Sequence, residues 1–255
     1  MGKVKEWISR LSAIPVFLFL RSPKYEQNHP RRFPQLFPKL NGNTFRNCAP
    51  GNKVAENTSR SDIMTIAARL LDVIENDILP LTERGVAAGN KVFGAAILKK
   101  SDLSLVIAET NNELENPLWH GEVHTLKRFY ERSSGLTAKD LIFLSTHEPC
   151  TMCMSAITWA GFDNFYSFFS HEDSRDAFAI PHDLKILKEV FGLEPGGYRR
   201  RNAFWNSFFI EELVDTEEEP LRAELKAQVA RIKARYAALS ESYQSGKTNN
   251  NIPLA

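Results

Sequence analysis

Leu141-Ile142-Phe143-Leu144-Ser145-Thr146-His147-Glu148-Pro149-Cys150-Thr151-Met152-Cys153 joins two elements of different kind. Residues 141–145 form a short, mostly apolar run of strand length, which reads as a strand buried on both faces. Pro149 then opens a helix predicted over 150–159, because the first turn of a helix has N–H groups without partners and tolerates proline. On that helix Cys150 and Cys153 stand one turn apart, on one face, at its positive end. A thiolate is stabilised there, and the thiolate is the form that binds metal or does redox chemistry.

Outward from this unit the alternation of strand and helix continues. Ser61-Asp62 is a helix start, followed by Ile63, Ile66, Ala67, Leu70, Leu71 and Ile74 at helical spacing. Gly89-Asn90 breaks the chain, residues 92–98 and 103–110 read as a hairpin turning at Ser101-Asp102, and 111–117 is a polar loop. A helix is expected over 120–132, a strand over 165–169, and helices over 184–191, over 203–213 and from Leu221 onward. The last carries Leu221, Leu225, Val229, Ile232, Tyr236 and Leu239 on one face. Such an order predicts an α/β layered domain around one sheet.

The chain has 255 residues, 43% hydrophobic and 25% charged, as a globular protein does. Its net charge of +1 is unevenly spread: residues 1–60 carry eleven Lys or Arg against three acidic residues, leaving the rest acidic. Residues 21–60, rich in Pro, Asn, Arg and Lys, read as an extended arm. That arm is either a solvated extension or a nucleic-acid, membrane or targeting signal. The apolar run from Ile14 to Leu20 is far shorter than the about 20 residues that span a bilayer. No small-residue cleavage site follows it, so a cytoplasmic location is expected, with an organellar presequence as the alternative. Three cysteines make no disulfide framework, and Cys48 reads as a bystander.

A second segment, Trp119-His120-Gly121-Glu122-Val123-His124, opens the helix over 120–132. His120 is the natural partner for Cys150 and Cys153 in a zinc site. Three protein ligands leave the fourth tetrahedral position open, which distinguishes a catalytic zinc from a structural one. Glu122 then falls beside the metal as a proton carrier. A C-x-x-C redox pair would leave His120 and Glu122 without a role. His124 is assigned to packing, since H-x-E-x-H is not the H-E-x-x-H of zinc proteases.

H-x-E followed by P-C-x-x-C resembles the signature of the zinc-dependent cytidine and nucleobase deaminase superfamily. Phe93-Gly94-Ala95-Ala96-Ile97-Leu98 is similar to that family's first-strand segment. Asn111 precedes Asn116-Pro117-Leu118-Trp119-His120 as the family's Asn precedes its D-P-x-x-H. The segment around Cys150–Cys153, with Trp159-Ala160, is closest to the guanine, guanosine and transfer-RNA adenosine branch.

The resemblance covers about residues 62–195 and implies a three-layer α-β-α fold with one mixed sheet of about five strands. It divides the chain into an arm (1–60), a catalytic domain (61–200) and a C-terminal helical extension (201–255). It implies Zn2+ on His120, Cys150 and Cys153, proton shuttling by Glu122, base contacts from Asn111 and Phe93, and a homodimer. Three departures stand out: Gly121 replaces Ala, the loop after Asn111 is two residues short, and Trp119 replaces a small residue. Trp119 is therefore a candidate to narrow the pocket or stack on substrate.

The activity implied is hydrolytic deamination of a small base or nucleoside, purine-type ahead of cytosine. Two alternatives stay open. One is a deaminase of transfer RNA or single-stranded nucleic acid, prompted by the basic arm and by Arg199-Arg200-Arg201 beside Phe204, Trp205, Phe208 and Phe209. The other is a non-catalytic protein stapled by zinc. His171 and His182 are expected at the surface.

Overall fold

Thr65 starts the first helix by accepting a hydrogen bond from Ala68 N, and Ala67, Leu70, Leu71 and Val73 then bury one face. The computed structural model describes residues 64–132, 135–194 and 197–254, so Cys48, the basic arm and the helix start read at Ser61-Asp62 lie outside them. Helix α1 (Ile66–Val73) passes through a π-helical turn, Ile74–Ile78, into α2 (Leu79–Ala88). Pro80 explains the wide turn: it has no N–H to give back, and the helix absorbs the missing bond just before it. Gly89 ends α2 in the left-handed region at φ 106°, where a side chain would be strained.

The remaining elements are β1 (Gly94–Lys99), β2 (Leu105–Thr110), α3 (Gly121–Glu131), β3 (Leu141–His147), α4 (Thr151–Trp159), β4 (Asn164–Phe169), α5 (His171–Asp176), α6 (His182–Phe191), β5 (Asn206–Phe209), α7 (Ile210–Asp215) and α8 (Leu221–Gly246). The sheet order is β2-β1-β3-β4-β5, with β1 antiparallel to β2 and β3, and β4 and β5 running parallel to β3. β3 is buried along its whole length, as its continuous apolar run requires. Leu141 and Phe143 pack with Leu126 and Phe129 of α3 and Ile157 of α4 on one face. Ile142 and Leu144 pack with α1, α2, α7 and α8 on the other. This is the three-layer α/β arrangement with a mixed five-stranded sheet.

The helix expected over 203–213 is not formed as such. Asn206–Phe209 is instead the fifth strand, with Phe208 stacked on Tyr166 at 5.0 Å, and the helix begins only at Ile210. A short aromatic cluster has no decisive period, and the pairing with Tyr166 across strands decides it. The sheet thus runs past residue 200. Among the described residues no helix is long and apolar enough to cross a membrane.

His147 closes β3 inside an aromatic box of Phe93, Phe169, Phe178 and Tyr236, with its Nε2 lacking a hydrogen-bond partner. Burial holds its pKa well below the ordinary 6.5. The unfolded chain therefore binds the proton first. Stability is fully present above pH about 6.5 and falls below it by up to about 1.4 kcal/mol per pH unit. Urea midpoints from pH 7.5 to 5 are expected to fall less steeply for His147→Phe than for the wild type. Parallel curves would contradict this.

Candidate active site

Two helix N-termini meet at the site. His120 is the N-cap residue of α3 and Cys150 that of α4, and neither side chain is spent on capping its own helix. β3 delivers Cys150 through the loop His147-Glu148-Pro149, and β2 delivers His120 through the loop that starts at Asn111. Cys150 Sγ lies 3.6 Å and Cys153 Sγ 3.8 Å from His120 Nδ1. All three ligand atoms lie within 4.8 Å of one another, the only such His/Cys/Asp/Glu group among the described residues. Two sulfurs and one nitrogen around a tetrahedral zinc stand roughly 3.5–3.8 Å apart, so the spacing suits that ion.

The electrostatics agree. Burial alone would lower His120, but its hydrogen bond to Cys150 and the charge there outweigh this and raise it to about 9. Cys150 is pulled well below the ordinary thiol range by Cys153, against desolvation, with His120 helping. Cys153 is pushed well above it by burial, then by Cys150 and Glu122. The cluster is rich in soft and anionic donors and short of positive charge, which a divalent cation supplies.

Glu122, 4% exposed, sits one step inside α3 and is within hydrogen-bond reach of Cys153. Burial first, and Cys150 second, raise its pKa. Ser145 Oγ is 2.9 Å from Glu122 Oε1 and 2.6 Å from the His147 carbonyl, so one proton serves two acceptors. Gly121 allows this approach. A Cβ there would stand 2.7 Å from Gly94 Cα and 2.9 Å from Gly94 N, atoms of the strand backbone that cannot swing aside. Gly121→Ala is expected to lose about 1–3 kcal/mol of stability in urea unfolding. It should also lower turnover by shifting α3 off β1, and a variant as stable as the wild type would show that the strand yields.

The other residues singled out above are placed as follows. Asn111 is buried; its Oδ1 accepts from Gly121 N and its Nδ2 donates to Glu113 at 2.8 Å, so it latches the start of α3. Phe93 is 8% exposed, with its ring edge against His147. Trp119 lies on the outside of α3, stacked on His124 at 5.8 Å with Lys127 Nζ 4.7 Å above it. His124 Nδ1 meets the Thr110 carbonyl at 2.9 Å. Of the arginine run, Arg200 is paired with Glu212 at 2.9 Å and lies over Phe209.

His171 is not a surface group: it is 1% exposed, because it braces the loop that carries Cys150. Its N–H donates to Glu148 at 2.9 Å, and its Nε2 lies 3.0 Å from the Pro149 carbonyl. Tyr198 OH donates to the other oxygen of Glu148. Asp183, half-buried at the start of α6, is pushed up to about 7 by burial and then by Cys150, against His171 and His120. Its carboxyl is therefore within electrostatic reach of the ligand cluster. Tyr198, Asp183, Glu113 and Lys91 carry no motif, and nothing in the sequence singles them out.

Residues 77–168 match the family model described as the cytidine and deoxycytidylate deaminase zinc-binding region. Guanine deaminase from Bacillus subtilis (strain 168) is 32% identical over 110 residues, 42% of this chain and 67% of that protein. The chain belongs to the cytidine and deoxycytidylate deaminase family. Among solved structures, the deaminase is similar to the guanine deaminase from Bacillus subtilis at 28% identity, covering 47% of this chain and 75% of that one, with a TM-score of 0.40. It is also similar to a guanine deaminase from Nitrosomonas europaea at 19% identity, 75% and 100% coverage and a TM-score of 0.41. Membership brings Zn2+ as the cofactor, and the His/Cys/Cys cluster fits it.

Proposed function

We propose that this deaminase hydrolyses the exocyclic amine from a free purine base of the guanine type, with zinc held by His120, Cys150 and Cys153. The observation that carries the reading is the meeting of that ligand trio with buried Glu122, in a chain 32% identical over 110 residues to a guanine deaminase. Zinc held there supplies the Lewis acidity that brings the pKa of water from about 15.7 to roughly 7. Glu122 takes a proton from the attacking water and gives it to a ring nitrogen; it then takes the second proton of that water, now the hydroxyl on the tetrahedral carbon, and passes it to the amine, which departs as ammonia as the carbonyl forms.

Ammonia release from guanine, guanosine, adenine, adenosine, cytosine and cytidine tests the reading. Guanine is expected to be fastest, and a preference for cytosine or for a nucleoside overturns it. Turnover of transfer RNA alone would replace it by the polynucleotide reading, with salt-dependent binding as its mark. Zinc-loaded protein that turns over none of these would be a stapled binding protein.

We further propose that the protein is a homodimer that buries the C-terminal end of α4. Trp159 is 91% exposed, and Phe204 and Tyr130 are 69% and 57% exposed. Trp205 Nε1 donates to Thr158 at 2.8 Å and Tyr130 OH donates to the Ala160 carbonyl at 3.0 Å, so all three gather at that end. A partner of the same kind would remove this aromatic surface from water. Trp159→Glu is expected to shift sedimentation from dimer to monomer; a wild-type monomer overturns the proposal.

A further inference from the structure

Lys91 and Glu113 form an ion pair at 2.9 Å whose side chains are 5% and 1% exposed. Burying two charges is rarely favourable unless the geometry uses them. Glu113 uses both oxygens. Oε2 accepts from Asn111 Nδ2 at 2.8 Å, and Asn111 in turn holds Gly121 N at the start of α3. Oε1, the oxygen bound to Lys91, faces His120 Nε2 at 3.6 Å, while Nδ1 of the same ring faces the two cysteines. A neutral pair would tie the loop equally well. What a carboxylate adds is a pull on the ring N–H opposite the metal-facing nitrogen.

We propose that Glu113, held by Lys91, is a positioning residue that keeps the His120 Nε2 proton directed at its carboxylate and so presents Nδ1 to the metal. The proposal rests on the reading of His120 as a ligand. A carboxylate behind a ligating histidine fixes its tautomer and ring orientation and raises its basicity. The same carboxylate, through Asn111, sets where α3 begins, so ligand direction and helix start are coupled.

The test uses the full chain loaded with zinc. Chelator competition gives the zinc dissociation constant, and proton NMR of 15N-histidine protein reads the His120 Nε2–H. In the wild type that proton is expected downfield and slow to exchange. Glu113→Gln is expected to weaken zinc binding by about 10–100-fold and to move the resonance upfield with faster exchange. If Glu113→Gln does not fold, the charge-free pair Lys91→Met/Glu113→Gln carries the same two readouts. Zinc affinity within twofold of the wild type in a folded variant, or a wild-type resonance that exchanges freely, overturns the proposal. Unchanged affinity in His120→Ala would instead overturn the ligand reading on which it rests.

Discussion

Glu122→Gln is expected to lower kcat by about 10³-fold or more while the protein stays folded and keeps its zinc. The carboxamide has the shape of the carboxylate and can still accept from Ser145 Oγ, so the packing at the base of α3 need not change. What it cannot do is take up and release a proton. General acid–base catalysis of one transfer contributes typically about 10²–10⁴-fold, and Glu122 carries two protons in turn. Loss of the group that moves both should therefore fall in the upper part of that range. The effect should appear in kcat more than in KM, because Glu122 acts on moving protons rather than on the resting base. Metal content and the urea midpoint are the controls. A variant retaining a tenth of wild-type turnover would mean that another group carries the protons.

Much of this arrangement was legible because it is local. Cys150 and Cys153 share one helical turn, and His120 and Glu122 share another, so their spacing reports chemistry without knowledge of the fold. The strand over 141–145 and the hairpin before it are readable for the same reason: short apolar runs bounded by turn residues report burial locally. Gly121 stands out in the sequence as a departure from the family's Ala. Gly94, which stands opposite it, does not, since nothing in the chain says which strand passes there.

The supports of the site come from pairings across distance. Lys91 and Glu113 are 22 residues apart, His171 and Glu148 are 23 apart, and Tyr198 and Glu148 are 50 apart. Each ties a loop residue to a distant loop or helix start, where no periodicity constrains the register. His171 was misjudged because acidic neighbours in sequence suggested solvent, whereas its side chain turns inward onto Pro149. The resemblance implies that Phe93 lies near the base; its ring edge also meets His147, a contact that no motif encodes.

Lys91→Met is expected to destabilise the zinc-loaded protein by about 3–5 kcal/mol, because it leaves the Glu113 carboxylate buried without a countercharge. Typical domains hold only about 5–15 kcal/mol in all, so this is a large share. The methionine fills most of the volume of the lysine stem, so little of the loss comes from packing. The double variant Lys91→Met/Glu113→Gln should recover most of it, since replacing both members of a buried pair is often close to neutral. Equilibrium urea unfolding of the wild type, the single variant and the double variant separates these terms. A single variant within about 1 kcal/mol of the wild type would mean that solvent reaches Glu113 and that the pair is not the closed structure its 1% exposure indicates. Recovery of stability in the double variant without recovery of zinc affinity would separate the two things the pair does. Lys91 would then be the residue that makes a buried carboxylate tolerable, and Glu113 the residue that makes it useful to His120.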